Sequence, residues 1–143
     1  MKGILSNYGD LYIQNNDFVI TQDIEVLSNE LYNFLNIRAA HIVNDIIIDP
    51  GFGFGKTLED NYQLMRRLPD LSVFDLPILV GISRKSMIYR CLGLAPEESL
   101  NGTSVLNTIS LMNGASILRV HDVREAKECV RLFDQYKKSG LCQ

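Results

Sequence analysis

Ile46-Ile47-Ile48-Asp49-Pro50-Gly51-Phe52-Gly53-Phe54-Gly55-Lys56 begins as an unbroken β-branched run and stops abruptly at Asp-Pro-Gly. A run apolar on both faces suits a parallel strand buried in a sheet, because an antiparallel strand with one wet face alternates instead. The glycine-rich segment after it reads as a loop at the carboxyl end of that strand. Two further stretches have the same form. Leu76-Pro77-Ile78-Leu79-Val80 ends at Gly81 and passes into Ile82-Ser83-Arg84-Lys85-Ser86. Ile117-Leu118-Arg119-Val120 ends at His121-Asp122.

Helical patterns lie between these strands. Thr21 stands at an N-cap position, and Ile24, Leu27, Leu31, Phe34 and Leu35 recur at helical spacing, predicting a helix to near His41. Thr57 with Asp60 forms a near capping box for a helix with Leu58, Tyr62 and Met65 on one face, stopped by Pro69. A helix is predicted from about Ser83 to Leu92. Another starts near Pro96, runs through Leu100, Leu106, Ile109 and Met112, and ends at Gly114. Asp122 and Glu125 are expected to cap a last helix with Val123, Ala126, Cys129, Val130 and Phe133 on its inner face. Strand–helix alternation repeated three times makes an α/β fold with a parallel sheet. Residues 1–20 are polar and read as an irregular N-terminal segment, leaving 21–143 as the folded domain.

Bulk properties exclude several classes. A chain of 143 residues with a net charge of −3 is large enough for one core and poorly suited to bulk binding of nucleic acid or anionic membranes. No apolar run approaches the roughly 20 residues that span a bilayer. The N-terminus has no secretory h-region. Cys91, Cys129 and Cys142 form neither a CxxC pair nor a metal-ligand pattern, which fits reduced thiols and a cytoplasmic location.

In parallel α/β folds ligands bind at the carboxyl ends of strands. Three such ends carry unusual residues here. Asp49 is either a turn cap before Pro50 or a carboxylate that accepts paired N–H bonds from an amino-heterocycle. Gly51, Gly53 and Gly55 alternate with Phe52 and Phe54, so the loop can approach a ligand closely while an aromatic covers a planar ring, or its Phe packs inward. The pattern is not a P-loop, since Pro50 stands where the first glycine would be. Ser83-Arg84-Lys85-Ser86 puts cations at a helix start, where an anion would relieve their conflict with the dipole. Arg119 and His121, two apart, share a face and suit a phosphate. His41 has no such neighbours and reads as a helix-end residue.

Taken in order, Asp49–Lys56, Gly81–Ser86 and Arg119–Val123 resemble the signatures of the dihydropteroate synthase family: Asp-Pro-Gly-x-Gly-Phe-x-Lys, Gly-x-Ser-Arg-Lys-Ser and Arg-x-His-Asp-Val. Leu100-Asn101-Gly102-Thr103 is similar as well. The resemblance implies the C-terminal portion of a (β/α)8 TIM barrel, incomplete, with three parallel strands alternating with helices. It also implies the folate-pathway condensation of p-aminobenzoate with 6-hydroxymethyl-7,8-dihydropterin pyrophosphate, releasing pyrophosphate. By that resemblance Asp49, Gly81 and Lys85 hold the pterin, and Phe54, Ser83 and Arg84 line the p-aminobenzoate end, the site of sulfonamide action, with Lys56 supporting the loop. Ser86, Arg119 and His121 bind pyrophosphate, and Lys85, Arg119 and His121 are the catalytic set. Mg2+ is expected as cofactor, with no metal ligand in this chain.

Met1-Lys2-Gly3 resembles the end of the family's fifth strand. A whole barrel takes about 250 residues, so the first four strands and their pterin- and metal-binding residues are expected to be missing. Such an arc exposes an apolar edge and is expected to be inactive alone and to self-associate as a homo-oligomer. The rival readings are a non-catalytic pterin- or folate-binding module and an independent flavodoxin-like domain.

Overall fold

The computed structural model describes the backbone of Lys2–Leu5, Tyr12–Gln14 and Asp17–Val19, and the continuous chain over 45–140 with side chains from Ile46 onward. The helix expected over 21–41, His41 and Cys142 lie outside the described residues.

Four parallel strands form an arc. β1 (Lys2–Leu5) pairs with β4 (Asp45–Ile48) in the register Gly3 to Ile46 and Leu5 to Ile48. β4 reaches β5 (Leu79–Val80) through a parallel bridge between Ile48 and Ile78, where the Ile48 N–H donates to the Pro77 carbonyl at 2.9 Å. β5 pairs with β6 (Ile117–Leu118), Val80 opposite Leu118. Residues 1–20, expected to be irregular, contain β1 and an antiparallel pair, β2 (Tyr12–Gln14) with β3 (Asp17–Val19). Tyr12-Ile13 and Phe18-Val19 are short aromatic and β-branched pairs inside a polar stretch, so the backbone ladder forms where period-2 patterning is too brief to read.

Helices fill the crossovers, α1 (Leu58–Arg67) between β4 and β5, and α2 (Ser86–Leu92) and α3 (Leu100–Met112) between β5 and β6; α4 (Val123–Ser139) follows β6. Thr57 and Asp60 complete the capping box on α1, Oγ1 accepting from the Asp60 N–H at 3.1 Å and the carboxylate from the Thr57 N–H at 3.0 Å. A 3-10 turn over Leu68–Phe74 follows, and Gly114, at φ +97°, ends the stretch after α3. Inner faces of α1 and α2 meet the strands in one core built on Ile48, Phe52, Leu68, Val80, Ile82 and Met87.

Three expectations are corrected. α2 begins at Ser86, not Ser83, because Arg84 adopts a left-handed backbone with φ +52° that no helix turn can contain. Val123 is 55% exposed, and Ala126 and Cys129 carry the inner face of α4. Asp122 stands at the N-cap of α4 but makes no capping bond. Its carboxylate is taken by Arg84, since a bidentate ion pair outcompetes single N–H donors.

Candidate active site

The three strand ends converge on one side of the arc. At the end of β4, Asp49 is half-buried and accepts a 2.9 Å bond from the Gly51 N–H. Burial raises its pKa above the usual carboxylate value, against the opposing pull of that N–H, Lys85, Arg119 and Lys56. Asp49 therefore senses cations from all three loops. The glycine loop divides its aromatics: Phe52 is fully buried in the core, and Phe54 is 38% exposed. Phe52 takes the inward-packed reading, and Phe54 is left partly exposed beside Lys85.

Lys85 links the first two strand ends. Its Nζ donates to the Phe52 carbonyl and lies 4.6 Å from the centroid of the Phe54 ring, a cation–π distance. Burial, followed by repulsion from Arg119, pulls its pKa down to about 8. Gly53, at φ +84°, lets the loop pass this side chain; a Cβ there would stand 3.0 Å from Lys85 Cδ. Lys56 supports the loop as expected, its Nζ donating to the Gly51 carbonyl at 3.1 Å.

The last two strand ends enclose a cleft of about 390 Å3, lined by Gly81, Ser83, Arg84, Lys85, Arg119 and His121 among others. Arg119 and His121 are both exposed and line it together, as their spacing predicted. Ser83 is buried, and its Oγ accepts the His121 N–H at 3.2 Å while lying 3.2 Å from His121 Nδ1. Arg84 turns to Asp122, Nε to Oδ2 at 2.9 Å and Nη2 to Oδ1 at 2.8 Å. Ser86 does not line this cleft; it is the first residue of α2.

Sequence reading missed Asn61. It is 1% exposed on α1, accepts from the Gly53 N–H at 2.6 Å, and donates to the Thr57 carbonyl at 2.6 Å and the Lys56 carbonyl at 3.4 Å. A polar residue among the inward positions Leu58, Tyr62 and Met65 was the available signal. Thr103 was missed as well; its Oγ1 accepts the Arg84 N–H at 3.1 Å.

Residues 21–121 match the family model described as pterin binding enzyme. The chain belongs to the pterin-binding enzyme family. It is 49% identical over 89 residues to the dihydropteroate synthase of Escherichia coli K12, an alignment covering 62% of this chain and 32% of that protein. The Yersinia pestis dihydropteroate synthase structure superposes with a TM-score of 0.73 at 35% identity, covering 95% of this chain and 62% of that one. The Coxiella burnetii dihydropteroate synthase, solved in complex with pteroic acid, superposes with a TM-score of 0.71 at 35% identity, covering 77% of this chain and 43% of that one. The chain thus spans about a third of the E. coli relative's length. These likenesses agree with an arc of a (β/α) barrel and displace the flavodoxin-like reading. Among the described residues no helix is long and apolar enough to cross a membrane, and none group as a metal-binding His/Cys/Asp/Glu cluster.

Proposed function

We propose that this chain supplies the pterin, p-aminobenzoate and pyrophosphate contacts of a dihydropteroate synthase. The observation that carries the reading is the convergence of Asp49, Lys85, Arg119 and His121 from three separate strand ends onto one side of the arc. Asp49 accepts the amino edge of the pterin and Lys85 donates to its carbonyl side, with Gly81 leaving room between them. Phe54 covers the p-aminobenzoate ring, and Ser83 and Arg84 line that end, where sulfonamides would compete. Pteroic acid, in complex with which the Coxiella burnetii relative was solved, unites a pterin and a p-aminobenzoate half.

Arg119 and His121 meet the pyrophosphate, and Ser86, at the helix start, stands outside the cleft they line. As the methylene carbon–oxygen bond breaks, its electron pair leaves on the pyrophosphate oxygen, and fixed positive charge stabilises it there. The p-aminobenzoate nitrogen forms the new bond to the methylene carbon and then loses a proton. Mg2+, which prefers hard oxygen ligands, is the proposed cofactor and would share the pyrophosphate charge with the side chains of Arg119 and His121.

A second copy of the chain is the proposed partner. Val105, Ile109 and Met112 recur along one face of α3 with 51%, 37% and 61% exposure, a stripe that a homo-oligomer would cover. A compact monomer in gel filtration would count against it. A cytoplasmic location is supported by free Cys91 and Cys129.

Calorimetric titration with 6-hydroxymethylpterin, with and without pyrophosphate, tests the assignment. Binding should be lost in Asp49→Ala and Lys85→Ala. Full affinity in both variants would overturn it.

A further inference from the structure

We infer that Arg84 and Asp122 form a positioning latch, which holds the loop after β5 against the loop after β6 and sets where His121 stands. This rests on the proposed function and changes the role of Arg84 within it. Both side chains are mostly covered, 26% and 19% exposed, and their two bonds of 2.9 and 2.8 Å make a fork-to-carboxylate pair. The third branch of the guanidinium, Nη1, donates to the Glu97 carbonyl at 2.5 Å and the Pro96 carbonyl at 3.4 Å. Four N–H directions are committed within the protein, so the guanidinium has little left to offer an anion.

The neighbours of the pair give the latch its purpose. The residue before Arg84 is Ser83, and the residue before Asp122 is His121. Those two are bonded to each other through Ser83 Oγ, at 3.2 Å to both the His121 N–H and Nδ1. The residue after Arg84 is Lys85, which reaches the Phe52 carbonyl and the Phe54 ring. One ion pair therefore sets the spacing between the p-aminobenzoate end and the pyrophosphate end. Arg84 also stands in the left-handed region at φ +52°, a conformation that costs a non-glycine residue and persists only when its surroundings over-determine it. The Arg84 N–H bond to Thr103 at 3.1 Å and the Asp122 fork supply that constraint.

Asp122→Asn separates positioning from direct contact, because the two predict opposite signs. Removing a negative charge beside a cationic cleft tightens an anion if charge alone matters, and more so if Arg84 is released to touch it. A latch predicts the reverse: inorganic pyrophosphate should bind about tenfold more weakly to the Asp122→Asn chain, since its ligands are no longer held in place. Calorimetry on the full chain reads the affinity, and circular dichroism checks the fold. Should Asp122→Asn fail to fold, Arg84→Lys keeps the charge and drops the fork, and the same weakening is expected. Unchanged or tighter pyrophosphate binding in the folded variant overturns the latch alone. A wild-type chain that binds neither pterin nor pyrophosphate overturns the proposed function, and the latch role with it.

Discussion

The guanidinium of Arg119 lies directly over Gly81: a Cβ added at that glycine would stand 3.0 Å from Nε and 3.1 Å from Nη2. Gly81 is buried at the end of β5, and its backbone is not in the left-handed region. The missing side chain therefore serves Arg119 rather than the turn. The atoms in the way are the end of a flexible, exposed side chain, and the backbone suits alanine, so Gly81→Ala should change the unfolding free energy by no more than about 1 kcal/mol. It should weaken pyrophosphate by about tenfold, the order of one charge-assisted bond. Isothermal titration beside urea unfolding checks both, and an unimpaired affinity would show that Arg119 has room to spare.

Lys85 makes a pH prediction whose sign follows from its depressed pKa. Folded, it titrates near 8; its ordinary value is 10.5. Between those values the unfolded chain holds more protons, so stability contributed at this site rises as pH climbs from about 8 to 10.5 and is lowest below 8. Relative to Lys85→Met, wild type should gain stability from pH 7 to pH 10 in paired denaturant titrations. Pterin affinity should fall over the same rise, as the ammonium is lost. Parallel stability profiles for the two proteins would refute the assignment.

Asp49 runs the other way. Its carboxyl is raised above 3.8 by burial, so the folded state binds the proton more readily, and stability is lost as pH rises through that window. At pH 7 the ionised group is a standing cost. Asp49→Asn keeps an acceptor for the Gly51 N–H and should raise the denaturation midpoint while pterin binding drops by about 10- to 100-fold. A variant less stable than wild type at pH 7 would contradict the burial argument.

Much of this site was legible because strand ends announce themselves. Ile46-Ile47-Ile48 breaking at Asp49-Pro50-Gly51 fixes both a buried parallel strand and the place where its loop must turn, and Arg119 and His121 keep the shared side that their spacing requires. What was not legible depends on partners distant in sequence. Arg84 and Asp122 are 38 residues apart, and neither sequence neighbourhood signals the other, so Arg84 reads as a ligand and Asp122 as a helix cap. Phe52 and Phe54 sit in equivalent glycine contexts, and only the core decides which ring turns inward. The short β2 and β3 ladders were hidden by polar residues around two apolar pairs.

Asn61 is where a helix holds the glycine loop. Asn61→Ala would strand the Gly53 N–H, bonded to it at 2.6 Å, and remove its side-chain bond to the Thr57 carbonyl, which keeps the backbone N–H of residue 61 at 3.2 Å. The expected cost is about 1–3 kcal/mol. Hydrogen exchange should quicken at Gly53 more than at Val80 in the β5 core. Equal acceleration at the two amides would mean that Asn61 supports the domain as a whole and not the loop.

Gly102 shows why α3 begins as it does. A Cβ there would meet Ile88 Cγ2 at 2.5 Å and Leu92 Cδ1 at 3.0 Å, both on α2. Leu92 is 53% exposed and can yield, but Ile88 is 2% exposed and packed in the core. Gly102→Ala would gain up to about 1 kcal/mol of helix propensity and lose about 1–3 kcal/mol to overpacking, a net destabilisation on the order of 1 kcal/mol. Ile88→Leu moves the branch away from the β carbon and removes Cγ2, the atom in the way. The double variant Gly102→Ala/Ile88→Leu should therefore be more stable than the sum of its singles by a measurable coupling in urea unfolding. Strict additivity would place the cost of the new methyl somewhere other than the α2–α3 contact.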